Sequence, residues 1–264
     1  MAGPEEYPIL SLEVTLSALG PEYPSLHAQH QILHSFRTSK HSLVILDDDP
    51  TGTQTCHDIA VLTVWDVPTL IQEFKTCSPG FFILTNSRAL PPTDAENLIR
   101  AICRNVADAA EIAGQRVEIV LRGDSTLRGH FPLEVEVAES VFGKADAWVL
   151  APFFFQGGRY TIGDVHYVAE GDQLIPAGAT AFAKDATFGY KSSNLRDYIQ
   201  EKAPGKFRSD QIHSITIEDS RKGGPQKVAE RLVALSEGDI VIVNAAAESD
   251  MHVFVAGLLL GITP

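Results

Sequence analysis

Leu43-Val44-Ile45-Leu46-Asp47-Asp48-Asp49-Pro50-Thr51-Gly52-Thr53 is the stretch on which the reading of the fold turns. Four consecutive apolar residues, two of them β-branched, predict a short buried strand of a parallel sheet. The carboxylates, proline and glycine that follow predict an abrupt turn at its end. In an open α/β sheet ligands bind in the crevice at the carboxyl ends of the strands, so acids at this point are placed to hold a metal or a substrate hydroxyl. An Asp-Pro-Thr-Gly run is also an ordinary turn. Three adjacent carboxylates argue for more, because they repel and raise one another's pKa unless a cation or a polyol compensates them.

Outward from this strand the pattern alternates. Residues 24–36 carry a helical apolar face, 59–64 read as a strand and 69–74 as a helix. A strand at 81–84 delivers Thr85-Asn86-Ser87-Arg88, and Pro91-Pro92-Thr93 with Glu96 predicts a capping-box start for a helix running to Ala113. A strand at 117–121 delivers Arg122-Gly123-Asp124-Ser125-Thr126-Leu127-Arg128-Gly129-His130, followed by a helix at 132–142 and a strand at 147–150. Glycines then punctuate residues 153–176, which predicts a loop and hairpin rather than a helical crossover. Helices at 193–201, 226–235 and 250–260 alternate with strands at 212–217 and 240–243. The expected class is therefore α/β: an open, mostly parallel sheet with helices on both faces in three Rossmann-like layers, carrying a loop and hairpin insertion. Residues 1–40 read as an N-terminal extension whose first 22 or so form an extended arm laid on the surface or a mobile one, and 41–264 as one compact domain.

Thirty-four acidic against 21 basic residues give a formal net charge of −13, which disfavours nucleic acid and anionic membrane as partners. A small-molecule site is the natural expectation. Cys56, Cys77 and Cys103 are odd in number and lack metal-ligand spacing, so no disulfide framework is expected and a reducing, cytoplasmic compartment fits. The amino terminus shows no secretory pattern, and the last apolar run, residues 251–262, is too short to span a bilayer.

The mixture of Arg122, Arg128 and His130 with hydroxyls and glycines suits an anionic ligand, since guanidinium groups grip carboxylate or phosphate bidentately. Two family resemblances bear on this. Asp47-Asp48-Asp49-Pro50-Thr51 resembles the D-x-D-x-T nucleophile loop of haloacid dehalogenase-type phosphatases, but such an enzyme needs a lysine or arginine after the Thr and a further acidic pair to hold Mg²⁺, and here no lysine occurs between Lys75 and Lys144 and Arg128 stands where the acidic partner of Asp124 would be. The second covers more of the chain. Asp48-Asp49-Pro50-Thr51-Gly52, Asn86-Ser87-Arg88, Asp124-Ser125-Thr126-Leu127-Arg128-Gly129 and Gly158-Arg159-Tyr160-Thr161-Ile162-Gly163, in that order, closely resemble the N-terminal domain of the four-carbon acid sugar kinase family.

That resemblance implies a domain that binds a sugar acid such as threonate, erythronate or 3-oxo-tetronate, joined in cis to a C-terminal domain that binds ATP. It implies Asp48 and Asp49 as catalytic base candidates, and Ser87, Arg88, Asp124, Ser125, Arg128 and Arg159 as substrate-binding residues. ATP and Mg²⁺ would serve the complete enzyme, with neither expected to be held by this chain alone. No Gly-Gly-Asp-Thr-type loop and no P-loop is found, so the chain is expected to be either a segment of a longer kinase or a short, catalytically silent sugar-acid binding module. Replacing Asp48 or Asp49 by Asn is expected to leave stability unchanged or to raise it slightly by relieving repulsion.

Overall fold

The structure, a computed structural model, describes residues 7–38, 41–53, 56–76 and 78–261; Cys77 lies outside them. In chain order the elements are β1 (Leu10–Ser11), α1 (Leu12–Ala18), α2 (Ser25–Thr38), β2 (His41–Asp47), β3 (Val61–Leu62), α3 (Val67–Phe74), β4 (Gly80–Leu84), α4 (Pro92–Ala113), β5 (Arg116–Arg122) and α5 (Leu133–Phe142). They continue with β6 (Ala147–Leu150), β7 (Arg159–Ile162), β8 (Val165–Glu170), β9 (Gln173–Pro176), α6 (Leu195–Lys202), β10 (Ile212–Ile215), α7 (Gly224–Val233), β11 (Asp239–Val243) and α8 (Glu248–Gly261). The α/β class with parallel strands flanked by helices is as the sequence predicts.

The chain divides into two compact units. The first, here the acidic-turn unit, comprises the described residues of Phe36–Asp124 and Arg128–Lys144. Its four strands lie in the order β3-β4-β2-β5, all parallel. Val44, Leu46, Phe81 and Ile83 pack against Leu70 and Phe74 of α3, Ile99, Ile102 and Val106 of α4, and Val137 of α5. Each such side chain contributes about 1.5–3 kcal/mol when fully buried. Gly80 starts β4 because a Cβ there would stand 2.7 Å from the Leu43 carbonyl oxygen.

Helix α4 departs from expectation at its start. Pro91 is the cap and Pro92 the first helical residue, with no side-chain cap, so the Thr93 and Glu96 box does not form. Proline at the first position needs no N–H partner, and Glu96 pairs instead with Arg100 at 2.8 Å, one turn along the helix. The helix ends on Gly114 in the left-handed conformation (φ 64°).

The second, here the hairpin unit, comprises the described residues of Met1–Ser35, Ser125–Leu127 and Ala145–Pro264. Its parallel sheet runs β10-β11-β6, and all five residues of the central β11 are buried. Helices α7 and α8 cover it, meeting at Gly257, where a Cβ would strike Val228 and the Pro225 carbonyl. The expected hairpin insertion is the antiparallel run β7-β8-β9; Gly163 (φ 60°) and Asp164 (φ 64°) form the two-residue turn between Ile162 and Val165, as a type I′ connection requires. The N-terminal segment is not an arm from Leu10 onward. Leu10 and Ser11 pair with Leu174 and Gln173 as an edge strand, because Leu10 finds an apolar face beside Val165, Tyr167 and Leu174.

Cys103 is buried in the acidic-turn core and Cys56 is exposed. Among the described residues no helix is long and apolar enough to cross a membrane.

Candidate functional site

In the acidic-turn unit, β4, β2 and β5 are in register so that Asp47 stands beside Leu84 on one side and Arg122 on the other. The residues after each strand therefore emerge along one edge: the acidic turn, Thr85 to Arg88, and Gly123-Asp124.

Arg88 takes both oxygens of Asp48, Nε donating to Oδ2 at 2.9 Å and Nη2 to Oδ1 at 2.6 Å. This is the bidentate fork that guanidinium makes with carboxylate. Burial disfavours the charged Arg88, but the bond from Asp48 and the surrounding carboxylates outweigh it and hold its pKa above the usual value. Asp49 lies 3.5 Å from Arg88 Nη1 and is less buried. Its Oδ1 accepts from the Thr51 hydroxyl at 2.5 Å and the Thr51 N–H at 2.9 Å, and the hydroxyl bond above all holds its carboxyl below the usual range. Asp124 accepts from Arg128 Nε at 2.6 Å. Gly129 (φ 147°) brings backbone close to Asp48, where a Cβ would sit 3.4 Å from Oδ2.

Ser87 is fully buried and faces inward. Its hydroxyl donates to Glu134 Oε1 at 2.5 Å and lies 3.1 Å from Thr85 Oγ1, while His130 Nε2 lies 3.1 Å from the Ser87 and Leu90 carbonyl oxygens. Burial raises the Glu134 pKa, against the pull of the Ser87 bond. Ser87 thus braces the strand end.

Sequence reasoning passed over Asp47 and Glu134 as site residues. Asp47 is 1% exposed, and its Oδ2 has no hydrogen-bond partner. Arg122 Nη1 donates to its Oδ1 at 3.3 Å and stands 3.7 Å from Asp48 Oδ1. Burial raises the Asp47 pKa to about 6, the Arg122 charge opposing and Asp48 and Asp49 reinforcing the shift. Gly52 closes over it, since a Cβ at that position would overlap both carboxylate oxygens. A phosphatase nucleophile at Asp47 would have to be reachable by substrate, and this one is covered. The first place in an acid triplet marked Asp47; nothing in the local pattern marked Glu134, because its role depends on α5 meeting the end of β4.

Ser125 and Arg159 belong to the hairpin unit. The carbonyls of Ser125, Thr126 and Leu127 accept in turn from His166 Nε2 (2.7 Å), Tyr190 (2.8 Å) and Tyr198 (3.1 Å). Arg159 bonds the Gly157 carbonyl and lies over the Phe182 ring at 5.4 Å, with its buried Nε unpartnered. The same unit contains a cavity of about 420 Å³ lined by Leu16, Glu22, Gln29, Phe155, Tyr160 and His252, among others; none of the sequence-predicted site residues lines it.

The family described as the sugar-binding N-terminal domain matches residues 43–262. The chain belongs to this family. It is the N-terminal domain of the four-carbon acid sugar kinase family that the motifs imply. Solved structures share the fold of this sugar-binding domain. A putative tRNA synthase from Salmonella typhimurium LT2 is 14% identical with a TM-score of 0.62, over 84% of this chain and 55% of that one. A domain of unknown function (DUF1537) from Bordetella bronchiseptica, a domain-swapped dimer with bound citrate, is 20% identical with a TM-score of 0.56, over 83% and 56%. A Haemophilus influenzae protein of the same DUF1537 family is 15% identical with a TM-score of 0.56, over 83% and 56%. No curated protein matches the chain. The sugar-binding domain spans about half the length of the solved structures it matches.

Proposed function

We propose that this chain is the substrate-binding half of an ATP-dependent kinase that phosphorylates a hydroxyl of a four-carbon acid sugar of the threonate, erythronate or 3-oxo-tetronate type, acting in the cytoplasm. The observation that carries the reading is the convergence, at one edge of three adjacent parallel strands, of the acidic turn, Arg88, Arg122 and Asp124. Phosphoryl transfer to a hydroxyl needs the acceptor oriented, its proton accepted and the acid's carboxylate held.

Asp49 is the base candidate with a less buried carboxylate, and it stays ionised because Thr51 bonds its charged form. Asp48 acts through Arg88, fixing the guanidinium on the strand edge. Arg128, held by Asp124, presents a guanidinium to the ligand carboxylate, with Gly123 and Gly129 admitting the ligand to the backbone. ATP and Mg²⁺ would come with a C-terminal domain in cis and supply the transferable phosphoryl group. Among the described residues no group of three or more His, Cys, Asp or Glu is arranged to hold a metal ion, and no step above is routed through one.

The alternative is a sugar-acid binding module without transferase activity. Calorimetric titration with threonate and an ATP-coupled assay, run on this chain alone and with an added family C-terminal domain, separate the two. The kinase reading expects threonate binding by the chain and phosphorylation once the C-terminal domain is present. Binding without turnover in both preparations leaves the module, and no binding to threonate, erythronate or 3-oxo-tetronate sinks both.

A further inference from the structure

The strand-end cluster of the acidic-turn unit has five carboxylates, Asp47, Asp48, Asp49, Asp124 and Glu134, against three guanidiniums, Arg88, Arg122 and Arg128. An anionic ligand would enter a site that already carries excess negative charge. The excess is borne by one group in particular. Asp48 has its fork, Asp49 its Thr51 bonds and Glu134 the Ser87 hydroxyl, whereas Asp47 is nine-tenths or more buried, its Oδ2 without a hydrogen-bond partner, its Oδ1 sharing Arg122 and its carboxylate otherwise met by the Asp49 backbone N–H. The groups facing Asp47 are Arg122 from β5, Asp48 and Asp49 from its own turn, and the side-chain-free Gly52 above it; Thr85, from the end of β4, bonds only its backbone carbonyl.

We propose that Asp47 is the proton acceptor that makes this site selective for acids: a sugar-acid anion binds together with one proton from solvent, which is added to the Asp47 carboxylate. Neutralising Asp47 removes one negative charge from the cluster and releases Arg122 Nη1 from its shared bond, so the half-buried guanidinium turns its charge to the ligand. No other bond is made or broken. The inference rests on the reading that this unit binds a sugar acid, and it names the group that sets the charge balance of that site. A raised Asp47 pKa, about 6 in the free chain, places the group ready to take up a proton near neutrality.

The test is calorimetric titration of the full chain with threonate, and with threitol as the uncharged probe, in buffers of different ionisation enthalpy. With Asp47 ionised in the free chain and protonated in the complex, uptake approaches about one proton per threonate at pH 7.5, and affinity falls about tenfold per pH unit above roughly pH 6.5. Threitol should bind without proton uptake. The Asp47→Asn variant, a permanent mimic of the protonated acid, should bind threonate with no uptake and hold its affinity to pH 8, while Glu134→Gln should keep the uptake. Wild-type threonate binding whose enthalpy is the same in every buffer overturns the proposal and leaves the sugar-acid reading standing. Uptake that survives in Asp47→Asn or disappears in Glu134→Gln overturns it as well. No threonate binding by the wild type overturns the sugar-acid reading and this inference with it. The wild-type measurement needs no variant, so the outcome does not hang on whether Asp47→Asn folds.

Discussion

Asp48 lies under a guanidinium that occupies both its oxygens, so the expectation that Asp48→Asn spares stability is replaced by its opposite. Breaking a buried pair by neutralising one partner leaves the other charge uncompensated, and Asp48→Asn should cost about 3 kcal/mol in urea unfolding. Asp47→Asn should act in the other direction. Its folded pKa, about 6, stands above the ordinary carboxylate value of 3.8, so protonation favours the folded state; the stability it carries is full below about pH 4 and is lost as pH rises through 6. At pH 7 the ionised Asp47 therefore costs roughly 2–3 kcal/mol, which Asp47→Asn should restore, flattening the stability profile between pH 4 and 6. A variant less stable than wild type at pH 7 would mean that the Arg122 contact outweighs the desolvation of the acid.

At the scale of elements, α4 separates two sequence signals of unequal weight. Its Thr93 has no capping bond, so Thr93→Ala should change stability by less than about 0.5 kcal/mol, where a true cap would cost about 1. Gly114 ends the same helix at φ 64° with open space around its Cβ position. Gly114→Ala therefore meets only backbone strain, and should cost about 1 kcal/mol in the same unfolding measurement. Equal effects of the two would place the helix start at Thr93 after all.

At the scale of the molecule, each unit has its own apolar core: Val44, Phe81, Ile83 and Ile102 among others in the acidic-turn unit, Ile215, Val228, Val241 and Phe254 in the hairpin unit. Asp250 caps the start of α8 through the Ala246 and Ala247 N–H groups and receives the fork of Arg221, both side chains being almost wholly buried. Asp250→Ala should destabilise the hairpin unit by about 3–5 kcal/mol. Native-state hydrogen exchange should then show faster exchange in β11 and little change in β2. Equal acceleration in both strands would show that the two cores unfold as one.

The sequence by itself determined the class, the strand ends that carry the polar clusters, the hairpin after β6 and the family. These are local properties: apolar runs of strand length, turn residues, and motif blocks whose spacing is read directly along the chain. Only the tertiary structure decided the rest. Periodicity says that 81–84 and 240–243 are strands but not that the first pairs with β2 and the second with β6 and β10, so the division into two sheets and two units was not legible. The role of Ser87 was likewise hidden, because Glu134 meets it across 47 residues of chain. Asp47 and Asp48 are chemically identical neighbours in the sequence. Strand alternation and the closure of Gly52 gave one of them a buried, unpartnered oxygen and the other a guanidinium fork, and burial and pairing, not residue type, set the charge a carboxylate keeps.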